Sequence, residues 1–238
     1  MSWSGTYAYS WNPPPPPRRI TTSRTELIQI GIAYAVLTVD IALLFSGSSF
    51  VFSGSSGGFI RGFTPLLVTV AATAALTGFV AHEMAHKIAA QRRGFWAEFR
   101  VYPYGLFLSL IMAAAVGFLF AAPGATMVGG ISEYDRPNWG RTALAGPLSN
   151  VAFAAVFYAG SVALYLAGSF LAGWLLLLAF INAWFGTFNL IPFGPLDGAK
   201  VFRWSRSVWC LAIAGTGFAA VVTFLGANIY GGNPFFGL

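Results

Sequence analysis

Residues 65–93 read PLLVTVAATAALTGFVAHEMAHKIAAQRR, and they place two histidines and an acid inside one long apolar run. The three ionisable side chains are His82, Glu83 and His86. About 20 apolar residues suffice for a helix to cross the ~30 Å hydrocarbon core of a bilayer. Ionisable groups at that depth cost free energy, so they are by default functional. The stretch therefore predicts a membrane-spanning helix that carries a site.

The rest of the chain is equally apolar. Charged residues are 8% and apolar residues 57% of the 238 residues, and the mean hydropathy is +0.70. Soluble proteins carry about 25% charged residues, so this composition predicts an all-α polytopic membrane protein. The apolar runs cover about 27–45, 65–90, 104–122, 142–166, 170–192 and 207–228.

The basic residues decide between five and six transmembrane helices. If all six runs cross, lysines and arginines are scattered over both sides of the membrane. If the run 104–122 returns to the side it came from, all 13 of them except Arg61 fall on one side, as the positive-inside rule favours. We therefore predict five full spans and a re-entrant or β-hairpin segment over 97–130. The N-terminus and the opening of the site are then cytosolic.

The spacing of the two histidines favours a metal site. Four residues on a helix turn through 400°, so His82 and His86 emerge about 40° apart and ~6 Å apart along the axis. Both rings can then bind one zinc ion at about 2.0–2.1 Å. In such H-E-x-x-H sequences the glutamate, here Glu83, acts as a general base on water. A single histidine would more simply be a core residue, but three ionisable groups in five residues favour the metal.

A catalytic zinc ion takes a third protein ligand and keeps one position open. The chain has no other histidine, so a carboxylate must serve. Asp197 is favoured because Pro192 and Pro195 break the helix around it, at the inner end of an apolar run. The candidates are Glu26, Asp40, Glu98, Glu133, Asp135 and Asp197.

Three motifs together resemble the site-2 protease family of intramembrane zinc metalloproteases (peptidase family M50). They are HEMAH at 82–86, GPLSN at 146–150 and NLIPFGPLDG at 189–198, and each lies in a separate apolar run. The resemblance covers residues from about 65 to 205. It implies one zinc ion per chain, bound by His82, His86 and Asp197.

The resemblance also implies the chemistry and the partners. Glu83 would activate the water, and Asn150 and Asn189 would contact the substrate backbone or the developing oxyanion. The substrate would be a transmembrane protein, cleaved within or near its membrane segment. The alternative function is a zinc-binding pseudoprotease that holds membrane partners without hydrolysing them.

The chain divides into three predicted parts. Residues 1–25 form a Pro-rich cytosolic tail, 26–230 the transmembrane zinc peptidase domain, and 231–238 a short C-terminal tail. The basic residues form no dense patch, which argues against nucleic acid as a partner. Two histidines are too few for a di-iron membrane oxygenase, and the other runs hold too few ionisable groups for a metal transporter. We expect a multi-pass protein of a prokaryotic plasma membrane.

Overall fold

A computed structural model describes residues 20–46, 64–117, 123–132 and 134–229. Most of the predicted Pro-rich tail and the whole C-terminal tail lie outside these ranges, as do Arg61 and Glu133. The described residues form eight α-helices, two short π-helical segments and two β-strands.

The helices and strands follow one another along the chain in a mostly helical order. The α-helices are α1 (Arg24–Phe45), α2 (Pro65–Ala74), α3 (Ala81–Arg92), α4 (Pro103–Ile111), α5 (Arg136–Leu166), α6 (Leu171–Asn189), α7 (Asp197–Trp204) and α8 (Arg206–Ile229). The strands are β1 (Trp96–Val101) and β2 (Gly124–Gly129). The π-helical segments are Ala75–Val80 and Met112–Val116.

Five helices in the described part of the chain are long and apolar enough to cross a membrane, which confirms the polytopic prediction. They are Arg24–Phe45, Pro65–Arg92, Arg136–Leu166, Leu171–Asn189 and Arg206–Gly226. Within its described residues, the remaining apolar run, 104–122, forms the shorter helical stretch Pro103–Val116.

The apolar run 104–122 begins and ends next to the same two-stranded sheet. Strands β1 and β2 pair antiparallel, from Trp96 opposite Gly129 to Val101 opposite Gly124. Just beyond the sheet, the Tyr102 N–H donates to the Pro123 carbonyl at 3.0 Å. Because the chain departs and returns at one point, this segment does not carry it to the other end of the bundle. The predicted hairpin between the HExxH and GPxxN helices is therefore confirmed.

Helix α6 lies among the other spans, and its buried face holds much of the apolar core. Leu177 and Phe185 of α6 pack in one cluster with residues of α1, α2, β1 and α4. That cluster includes Leu37, Ala74, Phe99 and Leu106. The core therefore fixes the hairpin against the spanning helices.

The outer edge of β1 is occupied by side chains of α1 and α3. Glu26 accepts the Phe99 N–H at 2.9 Å, and Gln29 accepts the Val101 N–H at 3.0 Å. Gln91 donates to the Ala97 carbonyl at 2.9 Å. These side chains satisfy backbone groups that would otherwise lack partners at a sheet edge.

A buried ion pair completes this attachment. Lys87 donates to the Glu26 carboxylate at 2.5 Å and to the Thr22 hydroxyl at 2.8 Å, and both Lys87 and Glu26 are at most 1% exposed. We call Glu26, Lys87 and Gln91 the anchor cluster. It fixes β1 to α1 and to the end of α3, whereas β2 meets α3 nearer its start, at Glu83.

The π-helical segment directly precedes the histidines. A π-helical turn adds a residue to the helix and changes which way the following side chains point, and such turns recur at functional sites. Here the Gly78 carbonyl within the segment accepts the Asn150 side-chain amide at 2.9 Å. The helix carrying His82 is thereby joined to α5 just above the histidine.

Candidate metal centre

Three side chains converge where α3, α5 and α7 meet. The Nε2 atoms of His82 and His86 lie 2.9 Å apart, and Asp197 Oδ2 lies 3.2 Å and 2.9 Å from them respectively. Tetrahedral zinc with ligands at about 2.0–2.1 Å separates its ligand atoms by about 3.3 Å. The three atoms therefore have nearly the mutual spacing of zinc ligands. We call His82, His86 and Asp197 the metal cluster.

Hydrogen bonds of the Nδ1 atoms fix the tautomers of both histidines. His82 Nδ1 lies 2.6 Å from Asn150 Oδ1, and His86 Nδ1 lies 2.8 Å from the Thr142 carbonyl oxygen. Both partners are acceptors, because the Asn150 amide nitrogen is directed to the Gly78 carbonyl. Each Nδ1 therefore carries the proton, and each Nε2 presents its lone pair to the cluster, as metal-ligating histidines require.

Gly146, the first residue of GPLSN, leaves space beside these lone pairs. A β-carbon at this position would lie 2.4 Å from His86 Nε2 and 2.5 Å from His82 Nε2. Any larger residue would therefore push into the donor atoms. The donor set, its tautomers and this space on α5 all fit a zinc ion.

Asp197 reaches the cluster because α6 ends before it and α7 begins with it. The intervening turn includes Gly194 at a φ of 56°, a conformation that favours glycine. Gly198 packs so closely that a β-carbon there would lie 2.0 Å from the Leu190 carbonyl oxygen. The predicted broken helix at 189–198 is thus confirmed, and its two glycines allow the close turn.

The second oxygen of Asp197 has its own partner. Lys200 Nζ lies 3.3 Å from Asp197 Oδ1, one turn along α7. Burial alone would raise the pKa of the Asp197 carboxyl, but its surroundings, the Lys200 ammonium among them, hold it well below its usual range. Asp197 is therefore an anion, the form in which a carboxylate binds metal.

Glu83 lies beside the metal cluster and is held by the hairpin. Its Oε2 accepts the Thr126 N–H at 2.7 Å, and its main-chain carbonyl accepts the Thr126 hydroxyl at 2.9 Å. Thr126 belongs to β2, so the strand nearest the site also orients the predicted general base. Sequence reasoning did not single out Thr126, because only the fold brings it to α3.

The two predicted substrate-contacting amides occupy different places. Asn150 is fully buried, and its side chain bonds to His82, Gly78 and Asn182. Asn189 borders the cavity of the site and donates to the carbonyl of Phe185 in its own helix at 3.0 Å. The oxyanion role of both residues stays a prediction, and the contact of Asn150 with His82 adds a positioning role.

The other candidate carboxylates in the described part of the chain have different partners. Glu26 pairs with Lys87, Glu98 with Arg100, Asp40 with Ser109, and Asp135 with Asn138. Glu133 lies outside the described residues. Among the residues that the structure describes, His82, His86 and Asp197 form the single group of this kind able to hold a metal ion.

A cavity of about 420 Å³ opens onto the metal cluster. Its walls include the cluster, Glu83 and the β2 residues from Gly124 to Val128. A peptide entering this space would meet the donor atoms and the edge of a β-strand together.

Comparison with known proteins assigns the class that this geometry indicates. The chain belongs to a family of zinc metalloproteases, and its cofactor is zinc. It is 34% identical over 175 residues to "Putative zinc metalloprotease MJ0611" of Methanocaldococcus jannaschii, across 73% of this chain and 86% of that protein.

A second relative is much longer than this chain. The identity to "Putative zinc metalloprotease Rip3" of Mycobacterium tuberculosis is 32% over 163 residues, or 64% of this chain. The match spans only 36% of the length of Rip3. No family model matches the chain. No solved structure matches it.

Proposed function

We propose that this protein is an intramembrane zinc metalloprotease of the site-2 protease family, which cleaves membrane proteins within or near a transmembrane segment. One observation carries the proposal. His82, Glu83 and His86 lie on a helix, Pro65–Arg92, that is apolar enough to span a bilayer, and Asp197 at the start of α7 meets the two histidines there. Apolar helices enclose this site, which favours a membrane-embedded substrate over a soluble peptide.

The side chains around the cavity divide the reaction between them. His82, His86 and Asp197 would hold a zinc ion, which would supply an acidified water and polarise the scissile carbonyl. Glu83 accepts the proton of that water and delivers it to the leaving nitrogen. Its Oε2 is held by the Thr126 N–H, so Oε1 is the oxygen directed to this proton transfer. Asn189 lines the cavity, and we assign it the role of donor to the oxyanion.

The β2 edge is the proposed binding surface for the substrate. A transmembrane helix protects its carbonyls by internal hydrogen bonds, so it must unwind locally before cleavage. An extended segment can then add to an exposed strand edge by main-chain hydrogen bonds. The outer edge of β1 is occupied by the anchor cluster, whereas β2 borders the cavity.

The same geometry supports a cytosolic opening. The helix ends at Arg24, Arg92, Arg136 and Arg206 belong to four of the five spans and lie at one end of the bundle if each span crosses once. Basic residues favour the cytosolic side. We therefore propose that the peptidase domain, residues 26–230, opens to the cytosol of a prokaryotic cell.

Cleavage of a membrane-spanning reporter in proteoliposomes tests the function. We expect the wild type to cleave it, a zinc chelator to abolish cleavage and zinc to restore it. Glu83→Gln should reduce cleavage to background while zinc content is retained. Glu98→Gln is the matched control, because the Glu98 carboxylate pairs with Arg100 rather than with the site. Full zinc without cleavage in the wild type would favour the pseudoprotease instead.

A further inference from the structure

A second cavity lies away from the metal cluster, where α5, α7 and α8 meet. Its volume is about 660 Å³, and its lining combines three arginines with three aromatic residues. The lining residues are Tyr134, Arg136, Phe202, Arg203, Trp204 and Arg206. We call this cavity the arginine cleft. We propose that it binds the phosphate of an anionic phospholipid headgroup.

The three arginines are the first part of the case. Among the described residues, none of Arg136, Arg203 and Arg206 makes an ion pair or a side-chain hydrogen bond. The neighbouring acid, Asp135, directs both its oxygens to Asn138 at the start of α5. The cleft therefore keeps its positive charge, and guanidinium groups bind phosphate oxygens in pairs.

Close packing of α5 against α7 forms the cleft. A β-carbon on Gly140 of α5 would lie 2.4 Å from the β-carbon of Trp204, so glycine permits the close approach of α7. The Arg141 guanidinium lies over the Trp204 ring at 5.7 Å, and that of Arg206 lies over the Phe202 ring at 5.4 Å. Such cation–π contacts hold the arginines and rings together at the cleft.

The position of the cleft indicates a lipid rather than a soluble phosphate. Two of its arginines begin the spanning helices α5 and α8, so they lie where the bilayer meets water. Aromatic residues are enriched at that level. Further along α8, Leu211 and Phe218 are 76% and 70% exposed. Acyl chains can therefore lie along α8 while the headgroup phosphate occupies the cleft.

Binding of phosphatidylglycerol to the purified full chain in uncharged micelles tests this proposal. The cleft variant is Arg136→Gln with Arg203→Gln and Arg206→Gln. The control variant is Arg24→Gln with Arg92→Gln and Arg93→Gln, which removes the same charge from the same predicted side of the membrane. We expect the cleft variant to bind at least about tenfold more weakly than the control variant. Equal weakening in both would overturn the proposal.

Two further experiments distinguish a lipid from a soluble anion, and a loss of binding from a folding defect. Inorganic phosphate should not displace phosphatidylglycerol, and phosphatidylcholine should bind weakly to all variants. Displacement by inorganic phosphate would mean a soluble anion site and would refute the lipid. If the triple variant unfolds, Arg203→Gln and Arg206→Gln are tested singly, and Arg203→Lys, which keeps the charge, should lose less binding than Arg203→Gln. The assay needs no proteolysis, so Glu83→Gln should bind lipid like the wild type even if the proposed function fails.

Discussion

Two adjacent residues of α3, His86 and Lys87, belong to two buried polar clusters that differ in composition. His86 points toward α5 and α7, where the metal cluster presents three lone pairs to one point. Lys87 points toward α1, where the anchor cluster pairs it with Glu26. One cluster contains a cation and an anion that satisfy each other. The metal cluster instead contains atoms that donate lone pairs, and these require a bound metal ion.

This difference separates a structural cluster from a functional one. A buried ion pair that is internally satisfied holds elements together, and its loss affects folding. Converging lone pairs fixed by hydrogen bonds on their far sides repel each other until a metal binds. Changes to the two clusters should therefore affect different measurements: zinc content for the metal cluster and unfolding for the anchor cluster.

The largest expected effect follows from removing the third ligand. Asp197→Ala deletes the only carboxylate among the described residues that converges with both histidines. We expect about one zinc ion per chain in the wild type and almost none in the variant. Metal analysis of protein purified in parallel measures this, with helical content by circular dichroism unchanged.

Glu98→Ala is the matched control, because its carboxylate belongs to β1 and pairs with Arg100. It should keep its zinc. Full zinc in Asp197→Ala would assign the third ligand elsewhere, and Glu133 would be the next carboxylate to replace.

The next largest effect should appear in stability and leave zinc bound. Lys87→Met leaves the Glu26 carboxylate buried without its cation, which costs about 3–5 kcal/mol. We expect a clearly lower unfolding temperature in detergent. The double variant with Glu26→Gln should recover part of the loss, because no charge is then buried alone. A double variant no more stable than the single one would show that packing by the Lys87 chain, rather than its charge, is what matters.

A smaller effect should come from the residue behind His82. Asn150→Ala removes the acceptor of the His82 Nδ1 proton. Loss of such a partner typically weakens metal binding about 10- to 100-fold. Zinc affinity, measured by competition with a chelator, should fall in this range. Asn189→Ala is the control, since its amide bonds only within α6. Unchanged zinc affinity with impaired cleavage in Asn150→Ala would instead favour the predicted oxyanion role.

Much of this arrangement could be predicted from sequence because it depends on local spacing or on charge. The i, i+4 positions of His82 and His86 fix their approach on any helix, and the two prolines near Asp197 fix the break in the chain. The distribution of arginines and lysines predicted the returning segment at 97–130. The paired strands at both ends of that segment confirm it.

Contacts between distant segments could not be predicted in the same way. Gly146 was visible only as part of a motif, because its role is the space it leaves beside two histidines about 60 residues away. Asp40 had no evident partner, and the structure supplies Ser109 of α4 at 2.7 Å. Thr126 lies in an ordinary strand sequence, and its contact with Glu83 exists only because the hairpin folds back on α3.

The smallest predicted effect sharpens the comparison on the α3 face that meets the hairpin. Thr126→Val removes the hydroxyl that bonds the Glu83 carbonyl but keeps the N–H that bonds its carboxylate. Valine also suits a strand. Losing one hydrogen bond of about 0.5–1.5 kcal/mol should lower kcat a few-fold. Zinc content and KM should stay near wild type, because neither the metal cluster nor the β2 backbone changes.

Thr69→Val, whose hydroxyl bonds within α2, is the control. A fall in zinc content would mean that β2 supports the metal cluster itself, whereas an unchanged kcat would mean that the N–H alone positions Glu83.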